Sequence, residues 1–245
     1  MAGIGFELRK ILNRGSYAAT LQAYAYAGLI SSGPWVMSIL SVLLIGILSL
    51  GVVAPDVMII RFLVSVTYLM AASLTVTGGA QLVFTRFVSD RMFERKEHII
   101  LPNLFGLMTL ITIVFGSLGG LFCFLLFPEE SFVYKYLMTS GFIVLTNLWL
   151  VVIFLSGMKV YNRILVIMGI GYTLMVVFAY FLRHSSLEGL LMAFVLAHAF
   201  LLFAFLHEII RDFPSPKSLR FDFLNRKQVF VSLAFTGLAY YCGIW

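Results

Sequence analysis

Seven side chains set within long apolar runs carry the polar chemistry of this chain: Tyr24, Ser31, Trp35, Thr77, Gln81, Asn147 and His198. Alternating steps of four and three place Tyr24, Gly28, Ser31, Trp35 and Ser38 on one helical face. Ser73, Thr77 and Gln81 form a second stripe beside Gly78-Gly79, and Ser140 and Asn147 share a third. These groups can hydrogen-bond, but they do not assemble into a reaction centre. The eleven acidic residues lie in loops or at the ends of apolar runs. No P-loop, dinucleotide fingerprint, H-E-x-x-H or G-x-S-x-G is present. Cys123 and Cys242 form no C-x-x-C pair and have no histidine at metal-ligand spacing, so they read as inert thiols. No enzyme activity, metal or cofactor is expected.

Each polar residue has two readings. Serine and threonine in membrane helices commonly bond their own backbone or a neighbouring helix, at only about 0.6 kcal/mol per bond. The alternative is contact with a ligand. The amides of Gln81 and Asn147 are harder to satisfy internally. His198 is an ionisable group near the middle of an apolar run, which is a functional-site signal. A neutral imidazole bonded to a backbone carbonyl is the competing reading. Gly116 and Gly120 form a G-x-x-x-G pair suited to close helix contact. Arg61 can snorkel toward an interface.

The elements that must hold these groups are membrane spans. A hydrocarbon core needs roughly 20 apolar residues per helix. Six candidates follow in order: Gln22–Val53, Val57–Val83, Leu101–Phe127, Tyr136–Ser156, Ile164–Leu182 and Leu187–Leu206. Val229–Trp245 begins a seventh and has the look of mid-helix, so a truncated longer protein is expected. The fold class is all-α, a polytopic transmembrane helical bundle. Composition agrees, with 61% hydrophobic and 11% charged residues against about 45–50% and 25% in soluble domains. The first run is too long for a signal peptide, whose apolar region covers about 7–15 residues.

Gly33-Pro34 falls inside the first span. Proline removes a backbone donor and clashes with the preceding turn, so a kink or hinge is expected there. Non-helical backbone at that depth is tolerated only against protein or a watery cavity.

Charge sets the orientation. Fourteen of the 17 basic residues fall before the first span or after the even-numbered spans, leaving Arg61, Lys135 and Arg183 opposite. The positive-inside rule puts the N-terminus in the cytoplasm. The net charge of +6 is distributed over alternate loops, not gathered into a nucleic-acid patch. Residues 1–16 read as an amphipathic interfacial helix, with Ile4, Leu8, Ile11 and Leu12 on one stripe. Residues 17–206 form the six-helix lobe. Residues 207–228 read as a cytoplasmic linker, broken by Pro214 and Pro216 and held at the membrane surface by Phe213, Phe221, Phe223 and Leu224. Residues 229–245 start the seventh helix.

Three runs carry a family resemblance: the opening Met1 to Lys10 (MAGIGFELRK), Ala23 to Trp35 (AYAYAGLISSGPW) and Gly78 to Asp90 (GGAQLVFTRFVSD). Together they resemble PelG, the inner-membrane transporter-like subunit family of the Pel exopolysaccharide system. That family is similar to the multidrug/oligosaccharidyl-lipid/polysaccharide exporter superfamily, whose members pack two six-helix lobes around a cavity. The resemblance implies a bacterial inner-membrane protein that moves Pel polysaccharide, or a precursor, to the periplasm. It also implies two partners: a cytosolic UDP-sugar-using glycosyltransferase and a cyclic-di-GMP-binding membrane subunit. Under that reading Tyr24, Ser31, Trp35, Thr77, Gln81, Asn147 and His198 are substrate-path candidates, with Gly33 and Pro34 as hinges. Arg86, Arg91, Arg95 and Lys96 become partner-docking candidates. Two other readings stay open: a non-transporting scaffold that anchors the glycosyltransferase, and an ion-coupled small-molecule exporter.

Overall fold

A backbone surrounded by hydrocarbon must satisfy its own hydrogen bonds, and continuous apolar sequence therefore resolves into helices. The computed structural model describes residues 9, 12–13, 15–49, 57–158, 161–182, 184, 186–213 and 218–224. It also describes positions 230–231, 234–235, 237–238 and 242. Among the described residues, the continuous α-helices are, in order, α1 Tyr17–Ser49, α2 Val57–Phe93, α3 Ile100–Leu126, α4 Phe132–Gly157, α5 Tyr161–Leu182 and α6 Ser186–Asp212. A 3-10 turn, Glu97–Ile99, joins α2 to α3. The described residues contain no strand. Among the described residues, five stretches are long and apolar enough to cross a membrane: Val57–Phe93, Glu97–Leu126, Phe132–Leu155, Arg163–Leu182 and Leu187–Asp212. Large apolar side chains such as Leu21, Leu125, Phe181 and Phe203 face outward, as suits contact with lipid tails.

Local chemistry marks the helix ends. Ser16 Oγ accepts the Ala19 amide at 3.1 Å at the head of α1, and Ser131 Oγ accepts the Tyr134 amide at 3.0 Å at the head of α4. Each satisfies a donor that has no partner within its helix. Pro102 lies in the first turn of α3, where a missing N–H costs little. The α-helical backbone of α1 runs across Gly33-Pro34 without interruption.

Two helices outrun the apolar stretches that announce them. The second expected span stops at Val83, yet α2 continues to Phe93. Its extension buries Phe84, Phe87 and Val88 while Arg86 and Ser89 stay exposed, which is a continued amphipathic stripe. The sixth expected span stops at Leu206, yet α6 reaches Asp212 and buries Ile209 on the way. The first six residues of the expected linker are therefore helical. Most of the expected N-terminal amphipathic helix lies outside the described residues; of its described positions, Arg9 and Leu12 are exposed. The expected seventh helix is described only at scattered helical positions.

The chain divides into two compact units, residues 1–63 with 154–201, and residues 64–153 with 202–245. In the first, α1 packs on α5, and Gly171 brings α5 so close to α6 that an added Cβ would overlap Leu201. In the second, α3 and α4 meet through glycines. A Cβ at Gly116 would stand 3.0 Å from Ile143, and one at Gly119 would stand 2.9 Å from Phe142. Gly120 faces Thr139 at an ordinary 3.5 Å. Gly116 and Gly120 thus do lie on a helix contact, with Gly119 the tighter point.

Candidate functional site

The polar stripe of α2 is buried in the second unit. Ser73 and Thr77 have no exposed surface. Thr77 Oγ1 donates to the Ser73 carbonyl at 2.8 Å, and Gln81 Nε2 donates to Thr77 Oγ1 at 3.0 Å. The Trp149 indole of α4 donates to Ser73 Oγ at 2.9 Å, while Ser73 Oγ donates onward to the Met70 carbonyl at 3.0 Å. Nearer the start of α2, Ser65 Oγ and the Tyr134 hydroxyl are 2.9 Å apart. The stripe therefore serves as an interhelical seam between α2 and α4, and Gln81 remains partly exposed at its end.

Asn147 sits on α4 and bridges to α3. Its Nδ2 donates to Thr112 Oγ1 at 2.9 Å and to the Ile143 carbonyl at 2.8 Å. Both amide hydrogens are thus used, and only this amide orientation serves the Ile143 carbonyl. The Oδ1 atom is buried and has no hydrogen-bond partner among the described residues. Ser140 bonds its own helix, donating to the Leu137 carbonyl at 3.1 Å.

The first unit carries its own polar cluster. Ser38 of α1, Tyr172 of α5 and His198 of α6 are 0%, 4% and 0% exposed. The Tyr172 hydroxyl and Ser38 share a side-chain hydrogen bond. His198 Nδ1 lies 2.8 Å from the Phe194 carbonyl. A carbonyl only accepts, so Nδ1 carries the proton. The Phe194 ring lies 4.1 Å from the imidazole by centroids, and the Tyr172 ring meets it edge-on at 5.8 Å. The imidazole Nε2 is buried without a partner among the described residues.

The α1 candidates differ in environment. Tyr24 is largely exposed. The side chains of Ser31, Gly33, Pro34 and Trp35 lie outside the described residues. Of the expected docking cations, Arg86 and Arg95 are exposed, and Arg95 adopts a left-handed φ of 57°. Arg91 and Lys96 converge on Glu94, at 2.7 and 3.1 Å. The Arg91 guanidinium also lies 5.6 Å from the Phe87 ring centre.

A strap crosses that end of the second unit. Asn103 Oδ1 accepts the Asp222 amide at 2.7 Å, and Asn103 Nδ2 donates to Asp222 Oδ2 at 3.0 Å. The Arg220 amide donates to the Pro102 carbonyl at 3.2 Å. Gly106 makes this approach possible, because a Cβ there would overlap the Arg220 carbonyl. Phe223 is 2% exposed and edges against Phe84 and Phe87. Phe221 and Leu224 remain exposed, so Phe223 and Phe213 alone of the expected aromatic and aliphatic anchors are buried, and Phe223 is buried against protein.

Trp149, Tyr172 and Asn103 are among the partners in these contacts that went unrecognised in sequence. A tryptophan and a tyrosine inside apolar runs needed partners for their polar atoms, which was the available signal. Among the described residues no group of acidic, histidine or cysteine side chains could hold a metal ion. The arrangement offers hydrogen-bonding groups to a polar ligand.

Residues 1–245 match the family model for PelG, exopolysaccharide exporter (EPS-E). No curated protein and no solved structure matches the chain.

Proposed function

Because the chain belongs to the PelG family of exopolysaccharide exporters, we propose that it carries Pel polysaccharide, or its precursor, across the bacterial inner membrane toward the periplasm. The family match over residues 1–245 carries this reading, and the buried polar groups are chemically suited to it. A sugar polymer presents many hydroxyl donors, and the unpartnered Asn147 Oδ1 is an acceptor of the kind they seek. Thr77 and Gln81 in the same unit, and Tyr24, Ser31, Trp35 and His198 in the other, are proposed ligand contacts, each within its own unit. Gly33 and Pro34 are the proposed flexing point within α1. With no P-loop in the sequence, ATP bound on this chain does not supply the energy.

The proposed partners are a cytosolic UDP-sugar-using glycosyltransferase and a cyclic-di-GMP-binding membrane subunit. Exposed Arg86 and Arg95 favour docking of an acidic surface at the end of α2, since Arg91 and Lys96 already share Glu94. Taken alone, that observation favours the scaffold reading. A transport assay with labelled polymer and the purified complex decides between the two. Polymer crossing the bilayer supports export, and a glycosyltransferase held at the membrane with no polymer crossing supports the scaffold.

A further inference from the structure

Lys135 stands where a lysine can reach water, yet it is only 9% exposed. It lies in the first turn of α4, and a lysine so near a helix end ordinarily extends its ammonium to the aqueous phase. Here Nζ donates to the Pro128 carbonyl at 3.0 Å and lies 5.6 Å from the Phe124 ring centre. Pro128 follows the C-terminal end of α3, whose carbonyls are electronegative, and that attraction draws the ammonium inward. A carbonyl and a ring face carry no net charge, and the carbonyl uses one of three ammonium donors. A full negative charge would offset the remaining cost of burial.

The surroundings specify which anion fits. Glu97–Leu126 and Phe132–Leu155 are each long and apolar enough to cross a bilayer, so the turn between them lies at headgroup depth. Around it Leu125, Leu126, Phe132 and Tyr136 expose apolar surface of the kind that meets lipid at a membrane interface. Phe124 and Phe132, 6.0 Å apart by ring centres, tie the two helices together beside Lys135. Glu129 and Glu130 follow Pro128 directly, and Glu129 is exposed. Two carboxylates beside one ammonium repel an anionic headgroup and suit one that pairs its phosphate with a cation. We propose that the α3–α4 turn is a binding site for phosphatidylethanolamine. A phosphate oxygen accepts from Lys135 Nζ, the primary ammonium donates to the Glu129 carboxylate, and the acyl chains lie along Leu125 and Phe132. Phosphatidylcholine has the same charges but no N–H for Glu129, and phosphatidylglycerol has no cation. The site lies within one compact unit and does not depend on what the protein exports.

Native mass spectrometry of the full chain, given one lipid of matched acyl chains at a time, reads the assignment. At equal collisional activation the fraction holding phosphatidylethanolamine should exceed that for phosphatidylcholine or phosphatidylglycerol several-fold. Lys135→Met, which keeps the apolar stem, should lower that fraction several-fold. Glu129→Gln should erase the preference over phosphatidylcholine. Equal retention of the three lipids by the parent overturns the proposal, as does Lys135→Met binding like the parent. An unchanged preference in Glu129→Gln also overturns it. If Lys135→Met fails to fold, Glu129→Gln decides alone, since that side chain is exposed. Inorganic phosphate in excess should leave the lipid bound; displacement would assign the site to a free anion and overturn the lipid reading. Polymer transport bears on export alone, so the two readings fail separately.

Discussion

Trp149 and Ser73 are 76 positions apart in the chain and 2.9 Å apart in space, the indole N–H donating to the hydroxyl. This contact fixes α4 against α2 at the centre of the second unit's polar seam. The two partners are not equivalent, because Ser73 also donates to the Met70 carbonyl. Trp149→Phe leaves that second bond in place and should cost about 0.5–1.5 kcal/mol. Ser73→Ala strands a buried indole donor and should cost about 1–3 kcal/mol. Thermal unfolding in matched detergent compares them, and a larger loss for Trp149→Phe would contradict the asymmetry.

Asn147 separates transport from packing. Asn147→Leu removes the unpartnered acceptor together with the Thr112 bond, so bilayer insertion should hold while secreted polymer falls. Gln81→Ala and Trp35→Ala should act in the same direction and leave the glycosyltransferase membrane-bound. A polymer immunoblot beside co-purification reads both quantities. Unchanged polymer in all three variants would favour the scaffold.

Charge at the end of α2 tests docking. Reversal of Arg86 and Arg95 should release the glycosyltransferase more completely than reversal of Arg91 and Lys96, which Glu94 already engages. Pull-down at low and high salt measures this, and equal release by the two pairs would remove the distinction.

The strap should be separable from the bundle beneath it. Phe223→Ala and Gly106→Ala remove the buried ring and block the close approach, respectively. Both should speed proteolysis within 218–224 several-fold while leaving helical content unchanged. Protection equal to the parent would show that Asn103 alone retains the segment.

Orientation is open to a direct check. A cysteine at Glu129 should react with a membrane-impermeant thiol reagent added outside, and one at Phe93 should not. Both positions are exposed, so burial does not confuse the result.

The helices were legible in sequence because apolar length and end signals act locally. The apolar runs announced α1 to α6 in order, and the Gly116 pair announced a helix contact. The faces were less legible. Periodicity says which residues of α2 point together, but not that Trp149 meets Ser73 or that Tyr172 meets Ser38. Such pairings depend on which helices become neighbours, a property of the whole packing. Phe221, Phe223 and Leu224 show the same limit. Composition marks all three as membrane-seeking, yet Phe84 and Phe87 offer a protein surface to Phe223 alone. The far end of α2 was missed because hydropathy falls at Val83 while the amphipathic stripe continues.

Asn103 and Asp222 lie 119 residues apart, and that interval is also a stretch of time. At about 5–20 residues per second, synthesis takes roughly 6–24 seconds to bring Asp222 out after Asn103. Throughout that window the head of α3 stands without its strap while α4, α5 and α6 are being made. The aromatic surface of Phe84 and Phe87 is open to the insertion machinery or to chaperones for the same period. Closure of the strap is therefore a late event in biogenesis, one that only a chain translated beyond Phe223 can complete.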